Sequence, residues 1–113
     1  MTDPTPAPPT DTAEPGEPGE PAIETRHDEA AQRYEVLVDG QVVGFADHRD
    51  AGEGVWSFPH TVTEPAFEGR GLANRVVTAA MADVRERGLK VVPSCSYVAH
   101  WFEQHPDEQD LLA

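Results

Sequence analysis

The chain has 113 residues, with 8 Lys and Arg against 21 Asp and Glu, and a formal net charge of −13. That balance argues against nucleic acid as a partner, because binding it depends on neutralising phosphates with clustered Lys and Arg, and it fits a cationic substrate such as an amine. A single cysteine, Cys95, excludes an intrachain disulfide framework and a cysteine-based zinc cluster. No apolar run is long enough to span a bilayer, and the start of the chain lacks the basic and apolar regions of a signal peptide. The expectation is a cytoplasmic protein with no membrane partner.

Residues 1–22 hold seven of the eleven prolines and five acidic residues, with no Lys or Arg. Such a segment cannot offset its chain entropy by burial, so it reads as a disordered acidic tail. Residues 23–113 are left for one modest domain, either a monomer or a homodimer.

In that domain Ile23–His27 has the composition of a short strand, and Tyr34–Val38 alternates so that residues 34, 36 and 38 share a face. Asp39-Gly40 is a dipeptide favoured in tight hairpins. The returning strand runs from Gln41 to His48, with Val43, Phe45 and Asp47 expected on one face and Val42, Gly44 and Ala46 on the other. A turn cluster at Asp50–Gly54 leads into a strand from Val55 toward Val62. Pro59 marks an edge, a bulge or a break in it.

After Gly71 the period changes. Leu72, Ala73, Val76, Val77, Ala80, Met81 and Val84 fall on one helix face, with Gly88 just past the helix end and Arg85 and Arg87 near its negative pole. Leu89–Val92 then reads as a strand ended by Pro93, and Ser94 or Ser96 as the cap of a further helix reaching about His105. The order predicts a mixed sheet: an antiparallel meander, then a β-α-β-α unit whose two strands run parallel across a right-handed crossover.

Glu68-Gly69-Arg70-Gly71-Leu72-Ala73 lies between strand and helix, where backbone amides at a helix start suit a pyrophosphate. A Walker loop requires Gly-Lys-Ser or Gly-Lys-Thr at its end, which Gly71-Leu72-Ala73 does not supply. The dinucleotide fingerprint fails as well, with Asn74 at its third small-residue position and Val91-Val92 where its acid belongs. The pattern resembles the acetyl-CoA loop of the GNAT superfamily of N-acetyltransferases, with Gly71 and Ala73 matching its second half and Pro65-Ala66-Phe67 its approach. Glu68 departs from it, standing where the family has Arg or Gln, and Arg70 is the cation that compensates.

His60-Thr61 before the loop, Pro93-Ser94-Cys95 after it and His105-Pro106 near the end resemble a compact single-domain GNAT subgroup that lacks the final strand pair of larger members. The resemblance implies acetyl-CoA as cosubstrate and transfer of its acetyl group to a small-molecule or protein amine. It also implies cofactor contacts from Val62, Thr63, Glu68, Gly69, Arg70, Gly71, Leu72, Ala73 and Asn74. Phe102 stands at the usual tyrosine acid, so the catalytic candidates are Cys95 as acid or nucleophile, His60 as base and Tyr97 as proton donor. Each has a structural alternative: a packed thiol, a hydrogen-bonded strand histidine and a half-buried aromatic. The alternative for the whole domain is a non-catalytic acyl-CoA-binding or interaction module with the same fold. His27, His48, His100 and His105 show no metal-ligand spacing with carboxylates, so no metal is expected, and Trp56 and Trp101 read as core or interface aromatics.

Overall fold

The computed structural model describes residues 21–113, so the reading of residues 1–20 as a disordered tail lies outside the described residues. Strands β1 (Ile23–Asp28), β2 (Arg33–Val38), β3 (Gln41–Gly52) and β4 (Val55–Thr63) form the antiparallel meander. Helix α1 (Leu72–Glu86) then crosses to β5 (Lys90–Val92), which runs parallel to β4, and α2 (Ser96–Gln104) follows. Spatial order equals chain order, β1-β2-β3-β4-β5. This is the mixed α/β architecture that the sequence predicts.

Local chemistry accounts for the connections. Asp39 and Gly40 have φ of 51° and 83°, the paired positive values of a tight hairpin whose twist matches its strands. Six residues of α1 (Leu72, Val76, Val77, Ala80, Met81 and Val84) are buried along one stripe. The helix stops in a Schellman arrangement, with the Gly88 amide donating to the Arg85 carbonyl and the Leu89 amide to that of Val84. Both helices share one hydrophobic cluster with Tyr34, Val36, Val43, Ala46 and Phe58 of the sheet. The Trp101 indole N–H fixes α2 against α1 by donating to Thr78 Oγ1 at 3.2 Å.

Two bulges change which side chains face the helices. In β3 the register steps from Leu37 opposite Val42 to Val36 opposite Gly44, making Val43 the extra residue. Val43 and Ala46 are therefore both buried in the core, which breaks the alternation expected from the sequence. In β4 the register passes from Arg49 opposite Ser57 to Asp47 opposite His60, so β4 takes one more residue than β3 around Pro59. Pro59, which has no amide to give to the ladder, marks a bulge within a continuous strand. The strand β3 also runs beyond His48 to Gly52, leaving only Glu53-Gly54 as the turn.

The cap of α2 differs from the sequence expectation. Cys95, not Ser94 or Ser96, is the N-cap, in extended conformation and with no side-chain capping bond. Its amide donates to the Phe58 carbonyl of β4 at 2.9 Å, which holds the chain extended until that residue. After α2 a 3-10 segment, Pro106–Leu111, returns the chain to β5, where Leu112 makes a single parallel bridge to Val91.

Candidate functional site

Helix α1 is capped by Gly71 at φ 75° and ψ 14°, with no side chain bonding the amides of its first turn. A residue with a Cβ is strained in that left-handed conformation, so glycine is what lets the chain turn sharply into the helix. The Arg75 amide closes the first helical bond, to the Gly71 carbonyl at 3.1 Å. The amides just before it have no intrahelical acceptor and sit at the positive end of the macrodipole, an arrangement suited to an anion.

A pocket of about 340 Å³ opens at this helix start. Glu68, Gly69, Gly71, Leu72, Ala73 and Asn74 line it from the loop and α1, Thr61 and Thr63 from β4, and Phe67 and Tyr97 close its sides. Arg70 folds over the Phe67 ring, 5.0 Å from its centroid, and stays outside the lining. The side chain of Glu68 brings a negative charge to the mouth of a site whose backbone favours anions.

The two parallel strands separate beside this pocket. Pairing of β4 with β5 ends at Ser57–Val92, while β4 continues to Thr63. Among the described residues the last part of β4 therefore has no strand on its β5 side. Cys95 stands at the head of the split, its Sγ 3.7 Å from Thr61 Oγ1. Burial works to raise the Cys95 thiol, but the nearby amides of Val98 and Tyr97 and the Thr61 hydroxyl favour the thiolate and outweigh it, so the pKa is lowered from the ordinary cysteine value. Burial pushes the Tyr97 phenol up, which keeps it protonated at neutral pH.

The structure thus brings Cys95 and Tyr97 to the same region as the loop residues, and Thr63 with them. It does not bring His60 there. Thr61 is paired with the core residue Ala46, so alternation turns His60 and Val62 to the opposite face of the sheet. The His60 side chain is largely exposed, with Nδ1 3.7 Å from Asp47 Oδ2. Val62 is 45% exposed on that same face, leaving only its backbone available to a ligand lying along the β4 edge. Phe102, at the place of a family tyrosine, is buried in the core.

Thr61 is the residue that the sequence named within a motif without giving it a role, and its contact with Cys95 depends on the bulge at Pro59. Among the described residues no group of three or more His, Cys, Asp or Glu converges on a metal position, and no helix is long and apolar enough to cross a membrane.

Known proteins resemble this chain in sequence and in fold. A family model described as GCN5-related N-acetyl-transferase matches residues 33–111. Protein NATD1 of Xenopus tropicalis is 29% identical over 93 residues, covering 80% of this chain and 84% of the frog protein. The Homo sapiens Protein NATD1 is 27% identical over 92 residues, covering 79% of this chain and 80% of its own. Among solved structures, a GCN5-like protein from Staphylococcus aureus superposes with a TM-score of 0.63 at 21% identity, covering 80% of this chain and 87% of that one. A GNAT family acetyltransferase from Brucella melitensis, in complex with acetyl-CoA, gives a TM-score of 0.52 at 19% identity over 65% of this chain and 54% of its own. The structural likenesses establish the fold, and the match across residues 33–111 establishes the family: this chain belongs to the GCN5-related N-acetyltransferases.

Proposed function

We propose that this chain transfers an acetyl group from acetyl-CoA to an amine by direct attack within a ternary complex. The observation that carries this reading is the continuity of the site: one pocket joins the free amides at the start of α1 to the β4 residues beside the β4–β5 split, and Cys95, outside the lining, contacts Thr61 of that lining. A pyrophosphate sits against the backbone of Arg70–Ala73, and Val62 and Thr63 align the pantetheine arm through their main chain. The thioester then lies in the split, where an amine reaches its carbonyl carbon.

The proton inventory follows from the groups present. A neutral amine attacks the acyl carbon, the tetrahedral intermediate collapses, and the C–S bond breaks to leave the CoA thiolate. Cys95 gives its thiol proton to that thiolate and is reprotonated by the proton that the new amide nitrogen sheds. Tyr97, held protonated, is the second donor within the pocket. His60, facing away from the split, is not assigned the role of base in this scheme.

A second reading, acyl-CoA binding without catalysis, is favoured by one observation: Phe102 is buried without a hydroxyl where the resemblance to larger GNAT enzymes places the tyrosine acid. Thermal-shift titration with acetyl-CoA, NAD and ATP, followed by assay of an amine panel, separates the two. A shift selective for acetyl-CoA together with acetylation of an amine supports transfer, and the same shift with every amine unreacted supports the binding module. Absence of any selective shift removes both. Cys95→Ser is expected to lower kcat by about a hundredfold with little change in the acetyl-CoA KM, the size of a lost general acid; unchanged turnover rules out the thiol role.

A further inference from the structure

At the far end of α1 from the cofactor loop, five elements converge on two histidines. His27 of β1 and His48 of β3 face each other Nε2 to Nε2 at 2.9 Å. The Tyr34 ring of β2 stacks on His27 with centroids 4.1 Å apart, and the Trp56 ring of β4 stacks on His48 at 4.0 Å. From the C-cap of α1, Arg87 Nη2 reaches His27 Nδ1 at 3.1 Å, and Arg87 also bonds Asp83 of α1 and Glu29.

These contacts determine where the protons are. A guanidinium only donates, so His27 Nδ1 accepts from Arg87 and the His27 proton is on Nε2. That proton is donated to His48 Nε2, which leaves the His48 proton on Nδ1. His48 Nδ1 is the buried side-chain atom recorded without a partner among the described residues, and His48 as a whole is only 4% exposed. The chain of donors therefore runs Arg87 to His27 to His48 and ends on an unanswered N–H.

Such a pair accommodates one added proton but not two. A first proton on His27 Nδ1 displaces Arg87 and finds the carboxylates of Glu29 at 3.7 Å and Asp83 at 3.8 Å. A second proton, on His48 Nε2, sets two N–H groups head to head at the same 2.9 Å contact. The charged neighbours do not relieve this: Arg87 at the C-cap of α1 and Arg49 of β3 repel an imidazolium at His48, and Asp47 of β3 only partly offsets them. The Tyr34 hydroxyl is committed to Asp83 Oδ2 at 2.6 Å.

We propose that the His27–His48 pair is an acid-operated latch, which fastens edge strand β1 to the sheet and to the end of α1 while the pair shares one proton and releases it when both rings are charged. β1 is the element that moves because it has a neighbour on one side only, whereas β3 is held between β2 and β4. Burial, then the charge of His27, lowers the His48 pKa to about 4. A histidine lowered in the folded state favours folding above its unfolded value of about 6.5, and this contribution is lost as pH falls from there toward the folded value.

Amide hydrogen exchange of the full chain, followed by NMR from pH 7.5 to pH 4 and expressed as protection factors, tests the latch. Protection of the bonded amides of β1 is expected to fall by roughly tenfold or more below about pH 6.5, while α1 amides from Val76 to Val84 keep theirs. His48→Phe, which retains a ring against Trp56 and removes the titration, is expected to abolish the selective loss in β1. His27→Gln provides the same comparison should the phenylalanine variant not fold. Loss of β1 and α1 protection in step in the wild type, or a β1 loss that persists in the variant, overturns the proposal.

Discussion

Cys95 illustrates how opposing influences settle a single group. Burial favours its neutral thiol, while donors from the start of α2 and from the Thr61 hydroxyl favour the thiolate, and the donors prevail. The rate of alkylation by iodoacetamide tracks the thiolate, so the profile of rate against pH is expected to have its midpoint below that of an unperturbed cysteine. Thr61→Val removes the hydroxyl at 3.7 Å and is expected to move that midpoint upward. A midpoint at or above the ordinary value would show that burial governs the thiol, and Cys95 would then be a packing residue. The same group of residues shows the role of shape at the neighbouring strand, where a Cβ on Gly44 would meet the Val62 carbonyl oxygen at 2.9 Å. Glycine at that position lets β3 lie close against the part of β4 that borders the pocket.

Among the elements, α1 and the Asp39-Gly40 hairpin were legible from sequence because both rest on local rules: a stripe of apolar residues at helical spacing and a dipeptide that tolerates positive φ. The bulges at Val43 and Pro59 were not, since register is decided by the partner strand, and a strand's own composition does not say which residue is left over. Pro59 signalled an irregularity without giving its kind. The consequence is specific: one added residue in β4 turns Thr61 and Thr63 toward the pocket and His60 away from it. The run Glu68–Asn74 leading into a helix start was legible from sequence because it is local, whereas the face that His60 takes depends on the register of β4 with its partner strand. Stabilisation of β5 is likewise non-local. Leu111 is 3% exposed, the Ala113 amide donates to the Val91 carbonyl at 2.9 Å, and Lys90 Nζ donates to the Asp110 carbonyl. Deleting residues 111–113 is expected to destabilise the fold by about 2–4 kcal/mol, the cost of a lost buried leucine and an uncovered strand edge, read as a lower urea midpoint. An unchanged midpoint would mean that β5 needs no cover.

For the whole molecule, the charge distribution makes a distinct statement about binding. The first 22 residues contribute five of the acidic groups and no Lys or Arg, yet the net charge of −13 stays strongly negative without them. In the proposed reaction acetyl-CoA approaches an acidic protein, and the attraction available to it is local: the free amides of the first turn of α1 and the guanidinium of Arg70 beside Phe67. Local attraction and distant repulsion respond differently to salt, because charges beyond about 8 Å are screened at physiological ionic strength while those at contact are not. Contacts of the folded part begin by Ala22, whose amide donates to Asp39 Oδ1 and whose carbonyl accepts from the Asp39 amide. A deletion that respects them ends at residue 20. Removing residues 1–20 is expected to leave acetyl-CoA affinity within about twofold at physiological salt, and to strengthen it only at low salt, where the lost repulsion reaches further. Isothermal titration at two ionic strengths measures both. A severalfold loss of affinity at physiological salt would instead assign the leading segment a direct part in the site, and a gain independent of salt would show that it competes for the pocket by contact and not by charge.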